Sequence, residues 1–184
     1  MNDVLKTIKS RRSVRKYTQE QISQEELDLI LEAGIYAPTA HNNQPWHFTV
    51  IQNKELLHDI NETVRQEMAA SNDEWTRKMG LNPAFQVTYD APTLIVVSGR
   101  KDGIAWQADC AAAIQNMLIA AESLHIGSVW LGLVRFFLHK EDKVKKLGIP
   151  ENYEPYYSAV FGYSANENEQ IAPKRNIDVV NFIR

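Results

Sequence analysis

Cysteine is nearly absent: Cys110 is the single one in 184 residues. It permits no internal disulfide. The five histidines, His41, His47, His58, His125 and His139, fall at no paired spacing, so the sequence predicts no metal site. No apolar run reaches the roughly 18 residues of a membrane span. The longest largely apolar stretch, Ala91 to Val97, has the length of a buried strand. The start, Met1 to Tyr17, lacks the apolar core of a secretory signal. Solubility in a reducing cytoplasm, away from membranes, is the expectation. No Gly-x-Gly-x-x-Gly occurs, which argues against a dinucleotide-binding Rossmann unit. Gly127 and Gly132 show the outer spacing of a phosphate loop, but Leu133 and Val134 stand where Lys and Ser/Thr would be required. Neither a Ser-His-Asp set nor paired carboxylates stand out, so no side chain is nominated as a nucleophile or general acid. Large charge of one sign is missing too. Twenty Lys and Arg against 23 Asp and Glu leave a formal net charge of -3, which excludes coating nucleic acid or anionic lipid through the overall field.

What remains is an ordinary globular composition, 44% hydrophobic and 23% charged, long enough to bury roughly 70% of the unfolded surface as one domain over 1–184. Val4, Leu5 and Ile8 keep helical spacing behind Asn2 and Asp3. Ser23 and Glu26 form a capping box ahead of the stripe Leu27, Ile30, Leu31, Ile35, and Asn53 caps a third helix with Leu56, Leu57, Ile60, Val64 and Met68 inward. Strands are expected at His47 to Gln52, Thr93 to Ser98, around Gly127 to Gly132, and Tyr156 to Tyr163. Ile104 to about His125 reads as a long alanine-rich helix that another helix can approach closely. Lys140 to Leu147 reads as a helix stopped by Gly148. Ser71 to Pro83 reads as a mobile polar excursion containing Trp75 and Met79. After the polar stretch Ser164 to Gln170, Ile177, Val179, Val180, Phe182 and Ile183 need cover, either by adding a strand to another subunit or by returning to their own sheet.

Two segments suggest chemistry. Arg11-Arg12-Ser13-Val14-Arg15-Lys16 packs cationic forks beside a hydroxyl, a set suited to a phosphate monoester; a solvated charge run or a patch for nucleic acid is the plainer alternative. Ala37 to Trp46 is held by two prolines and is dense in amides. Thr39, Asn42, Asn43 and Gln44 can read the edge of a planar heterocycle, or simply bond the turn to itself. Trp46 reads as a core anchor and Cys110 as a buried thiol.

These two motifs, in this order and one helix apart, resemble the nitroreductase family of FMN-dependent oxidoreductases. Further resemblances are the strand after Ala91-Pro92, the alanine-rich helix ending near Gly127, Trp130-Leu131-Gly132, Phe161-Gly162-Tyr163 and the pair Lys174-Arg175. The resemblance implies an α+β fold with a mostly antiparallel central sheet flanked by helices. It also implies a homodimer with FMN at the interface and a C-terminal tail wrapping the partner. Carried over residue by residue, it has Arg11 and Ser13 holding the flavin phosphate, Arg12 lining the same pocket and Arg15 near the pyrimidine edge. Pro38, Thr39, Asn42 and Gln44 would come from the other subunit, and the backbone of Val129, Trp130, Leu131 and Gly132 would face the ring. Either Lys174 or Arg175 would reach the phosphate. The implied activity is ping-pong hydride transfer through flavin N5. NAD(P)H would be the transient reductant, and nitroaromatics, quinones or similar electron-poor small molecules the acceptors. A flavin carrier or redox sensor, and less favoured an anion- or nucleic-acid-binding module, are the alternatives.

Overall fold

In the computed structural model, which describes residues 1–166 and 171–184, the described residues form four strands: β1 (Trp46–Ile51), β2 (Thr93–Arg100), β3 (Gly127–Leu131) and β4 (Tyr153–Gly162). They pair antiparallel throughout in the order β1-β2-β4-β3. The helices are α1 (Asp3–Ser10), α2 (Gln24–Ile35), α3 (Lys54–Ala69), α4 (Glu74–Gly80), α5 (Trp106–Ser123), α6 (Arg135–Leu138) and α7 (Glu141–Val144).

β2 is paired on both sides and covered on both faces. Leu94 and Val96 enter one core with Leu57, Ile60 and Val64 of α3 and Phe137 of α6, while Ile95 and Val97 enter the other with Ile30 of α2 and Ile114 and Met117 of α5. The continuous apolar run therefore reflects cover on two faces, although the sheet is antiparallel. Gly34 brings α2 against α5: a Cβ there would lie 3.1 Å from the side chains of Met117 and Phe48. Of the α5 alanines, Ala113 and Ala121 are fully buried.

The expected caps form. Asn2, Ser23 and Asn53 accept from the backbone N–H of Leu5, Glu26 and Leu56 at 3.0, 3.2 and 2.8 Å, and Glu26 Oε2 accepts the Ser23 N–H at 2.8 Å to complete the capping box. Gly148, left-handed at φ 63°, ends the turn that follows α7.

Three expectations change. Ser71 to Pro83 is not a loose excursion, because Asp73 caps α4 through the Thr76 N–H at 2.8 Å and Gly80 is buried against α3. A Cβ at Gly80 would sit 2.2 Å from the Ala69 nitrogen, so only glycine allows this approach, and its lack of a side chain hides the contact from any apolar pattern. Met79 packs against the core, while Trp75 stays 61% exposed. The helix expected over Lys140 to Leu147 shortens to α7 and a 3₁₀ turn. The tail does not return to its own sheet: residues 171–184 form no strand, and Ile177, Val179 and Phe182 are exposed. Of the polar stretch before it, residues 167–170 lie outside the described residues.

Candidate functional site

The basic segment is built by an edge pairing. α1 stops at Ser10, the Arg11 N–H closing onto Thr7 O at 3.0 Å, and the chain then extends beside β3. Ser13 forms a parallel bridge with Ser128, the Val14 N–H donating to Ser128 O at 3.0 Å. Gly127 lets Val14 in, since a Cβ there would lie 3.0 Å from the valine side chain. Tyr17 bridges Ser164, and its buried hydroxyl donates to Val14 O at 2.7 Å. Burial holds that phenol well above its ordinary value, against the opposing pull of Arg15.

This anchoring gathers Arg11, Arg12, Ser13 and Arg15 around a cleft of about 450 Å³ whose far wall is Ile171, Pro173 and Arg175. Lys174 does not line it. Of the two adjacent tail cations, the cleft takes Arg175. Arg12 lines the cleft but bends its guanidinium back to Lys9 O at 2.7 Å and Arg11 O at 2.9 Å, which ties down the turn after α1. The Arg15 guanidinium donates to Ser13 O at 3.3 Å and stands 5.9 Å from the centre of the Tyr89 ring. Among the described residues, no carboxylate lines this cleft. Cationic forks plus one hydroxyl around a concave space fit a phosphate dianion, and thus the tail of FMN, better than they fit the flat stripe a nucleic-acid backbone needs.

Val129, Trp130 and Leu131 continue along β3 from Ser128, and Gly132 follows at its end, with open space for 4 Å around where a Cβ would stand. Trp130, Leu131 and Gly132 border a second hollow of about 370 Å³. Its walls include the edge-to-face rings of Trp130, Tyr157 and Tyr156, with centroid separations of 4.8 and 4.4 Å. The basic segment and β3 thus share one edge of the sheet, joined at the Ser13–Ser128 bridge.

The amide loop is elsewhere. Pro38, Thr39, Asn42 and Gln44 lie before β1, at the opposite edge of the sheet. Thr39 Oγ1 accepts the Gln44 N–H at 3.2 Å, and Gln44 Nε2 donates to Asn42 Oδ1 at 3.0 Å. His41, Asn42 and Gln44 all take left-handed φ values, 52°, 54° and 43°, a cost borne by no glycine. The anchor is Asp109 in the first turn of α5, whose Oδ1 accepts the Ala40 N–H at 3.2 Å. Asp109 is 6% exposed, and its second oxygen has no bond among the described residues. Sequence reasoning missed it; its one signal was an acid between Ala108 and Cys110 in the first turn of α5. Trp46 stacks on Phe48 at 6.5 Å and packs against the core, as its anchor reading expected. Cys110 is fully buried, its thiol pushed up to about 12 mainly by desolvation.

One chain therefore brings together Arg11, Arg12, Ser13, Arg15, Arg175 and the Val129 to Gly132 segment, and keeps Pro38, Thr39, Asn42 and Gln44 apart from them. The sequence model of the nitroreductase family matches residues 8–163. The chain belongs to the nitroreductase family. Among solved nitroreductases, one with bound FMN from Bacteroides fragilis NCTC 9343 superposes with a TM-score of 0.92 at 35% identity, each chain covered in full. Another with bound FMN, from Desulfitobacterium hafniense DCB-2, gives 0.89 at 29% identity, again over both whole chains. The FMN reductase [NAD(P)H] of Bacillus subtilis (strain 168) is 27% identical over 178 residues, which cover 91% of this chain and 68% of that protein. The nitroreductase fold, mixed α and β around an antiparallel sheet, is thereby the fold of this chain.

Proposed function

We propose that this nitroreductase is an NAD(P)H-dependent FMN oxidoreductase of electron-poor small molecules such as nitroaromatics and quinones. The observation that carries the reading is the cationic cleft, assembled from Arg11, Ser13, Arg15 and, more than 150 residues later, Arg175. Bound FMN supplies hydride acceptance and release at N5; the protein supplies binding, orientation and charge. Arg11, Ser13 and Arg175 hold the phosphate, and Arg12 braces the turn that presents them. Arg15, steadied by Tyr89, keeps a permanent charge near the ring's pyrimidine edge, where it favours whichever state of the cofactor is more negative. The backbone of Val129 to Gly132 lies along the ring. One face serves reductant and acceptor in turn, in keeping with a sequence that carries no Gly-x-Gly-x-x-Gly.

The site is completed by a second copy of the chain, each copy acting as one domain. The amide loop stands at the sheet edge opposite the cationic cleft, so Pro38, Thr39, Asn42 and Gln44 reach a flavin only across a twofold axis. Exposed apolar side chains support this pairing. Val4, Ile8, Leu29, Ile35 and Tyr36 on α1 and around α2 are 43 to 76% exposed, and Val4, Leu29 and Tyr36 line a shallow hollow of about 500 Å³. The apolar tail beyond Arg175 covers part of the partner. No helix among the described residues is long and apolar enough to cross a membrane, in keeping with a cytoplasmic enzyme.

Absorbance of the purified protein tests the reading directly. A flavin band bleached by NADH or NADPH and restored by a nitroaromatic or quinone is expected, with parallel double-reciprocal plots when both substrates vary. A band that no nicotinamide bleaches would make the protein a flavin carrier or sensor. A colourless monomer by sedimentation, still so after addition of FMN, would refute the proposal.

A further inference from the structure

We propose that a cavity of about 380 Å³ between α3 and the 86–92 segment is a second small-molecule site, for a flat, neutral, amino-substituted heterocycle, free or as its nucleoside. It shares no lining residue with the cationic cleft or with the hollow beside Gly132, and the inference does not depend on flavin chemistry.

Its polar lining is oriented from within. The fully buried Thr93 hydroxyl accepts amide N–H bonds from both Gln21 and Gln52, the latter at 3.2 Å. Gln19 similarly spends an N–H on Asp90 O at 3.4 Å. Each of the three spends one N–H on the protein and keeps, beside its second N–H, a carbonyl oxygen, so a guest that donates meets three acceptors. The back wall is rigid. Asn61 and Thr88, 6% and 1% exposed, are locked by Asn61 Nδ2 donating to Thr88 Oγ1 at 2.8 Å and the Thr88 N–H donating to Asn61 Oδ1 at 3.1 Å. Asn61 Nδ2 also donates to Leu57 O at 3.0 Å, so this pair shapes the cavity and leaves the reading to the glutamines.

The rim carries strain. Tyr89 and Asp90 are both left-handed, at φ 54° and 57°, in a segment with no glycine, the kind of backbone outlier that concentrates at ligand sites. Leu57, Ala91 and Pro92 provide an apolar wall against which a planar ring can lie. Lys54 and Asp90 set one charge of each sign on the lining, which favours a neutral guest over an anion or a cation. A donor-bearing ring of nucleobase size meets all three conditions.

The test uses the flavin-loaded protein and calorimetric titration with adenine, adenosine, purine riboside, which lacks the amino group, and ribose. Adenine or adenosine is expected to bind, with purine riboside at least about tenfold weaker for the missing donor and ribose inert. Tighter binding of adenosine than adenine would identify the nucleoside as the guest; equal binding would identify the free base. Gln21→Leu combined with Gln52→Leu should abolish binding while flavin content stays unchanged; if that variant does not fold, the purine riboside comparison on the parent carries the test. No heat with either adenine compound up to about 5 mM, a range that reaches even weak complexes, would overturn the proposal. So would equal binding of purine riboside, or competition of adenosine with FMN or NADH, which would assign the guest to the flavin site.

Discussion

Replacing Arg175 and Lys174 separately by alanine discriminates between two adjacent cations that the sequence leaves equivalent. Arg175 lines the cleft opposite Arg11 and Ser13, whereas Lys174 does not. A charge-assisted hydrogen bond contributes about 1.5 to 3 kcal/mol, and each 1.4 kcal/mol is tenfold in affinity, so Arg175→Ala should weaken FMN binding by about 10- to 150-fold. Lys174 acts only through its screened field. With a Debye length of about 8 Å at physiological salt, Lys174→Ala should cost no more than about threefold. The assay is titration of deflavinated protein with FMN, followed by quenching of flavin fluorescence. Repeating it at low and high salt separates contact from field, because the Lys174 effect should shrink as salt rises while most of the Arg175 effect persists. Both residues sit in an exposed tail, so thermal melting of the two apoproteins should coincide. Equal losses in the two variants, or the larger loss in Lys174→Ala, would refute the placement of the phosphate in this cleft.

Arg15→Ala should leave FMN bound but lower its midpoint potential, measured by dye-coupled reduction; an unchanged potential would remove Arg15 from the pyrimidine edge. Cys110, buried and with its thiol raised to about 12, should resist iodoacetamide at pH 8 until the protein unfolds, and prompt labelling would show that α5 opens in the native state. Asp59 is held below its ordinary 3.8 by hydrogen bonds first from Lys143 Nζ at 2.5 Å and then from Lys146 Nζ at 2.9 Å. Its folded-state value being the lower one, the contribution is present above pH 3.8 and is lost as the pH falls through the depressed value. Asp59→Asn should therefore flatten the fall in melting temperature on acidification, and parallel acid profiles would contradict this.

Caps and alternation were legible because neighbours in the chain set them. Asn2, Ser23 with Glu26, and Asn53 start their helices within one turn of sequence, and Thr93 to Ser98 shows its burial in its own composition. The two candidate motifs were legible for the same reason: Arg11 to Arg15 and Pro38 to Gln44 are contiguous. What joins or separates them was not. That Arg175 rather than Lys174 lines the cleft follows from how the tail lies beside Arg11 to Arg15. That Asp109 holds the amide loop depends on α5 meeting the loop 69 residues away in sequence. α4 lies where it does because Gly80 has no side chain to keep it from Ala69, and an absent atom leaves no pattern. The sequence by itself determined which residues carry the cationic forks and which the amides. Only the tertiary structure decided that they stand on opposite edges of one sheet, because strand order is set by long-range packing of both faces and not by any local preference.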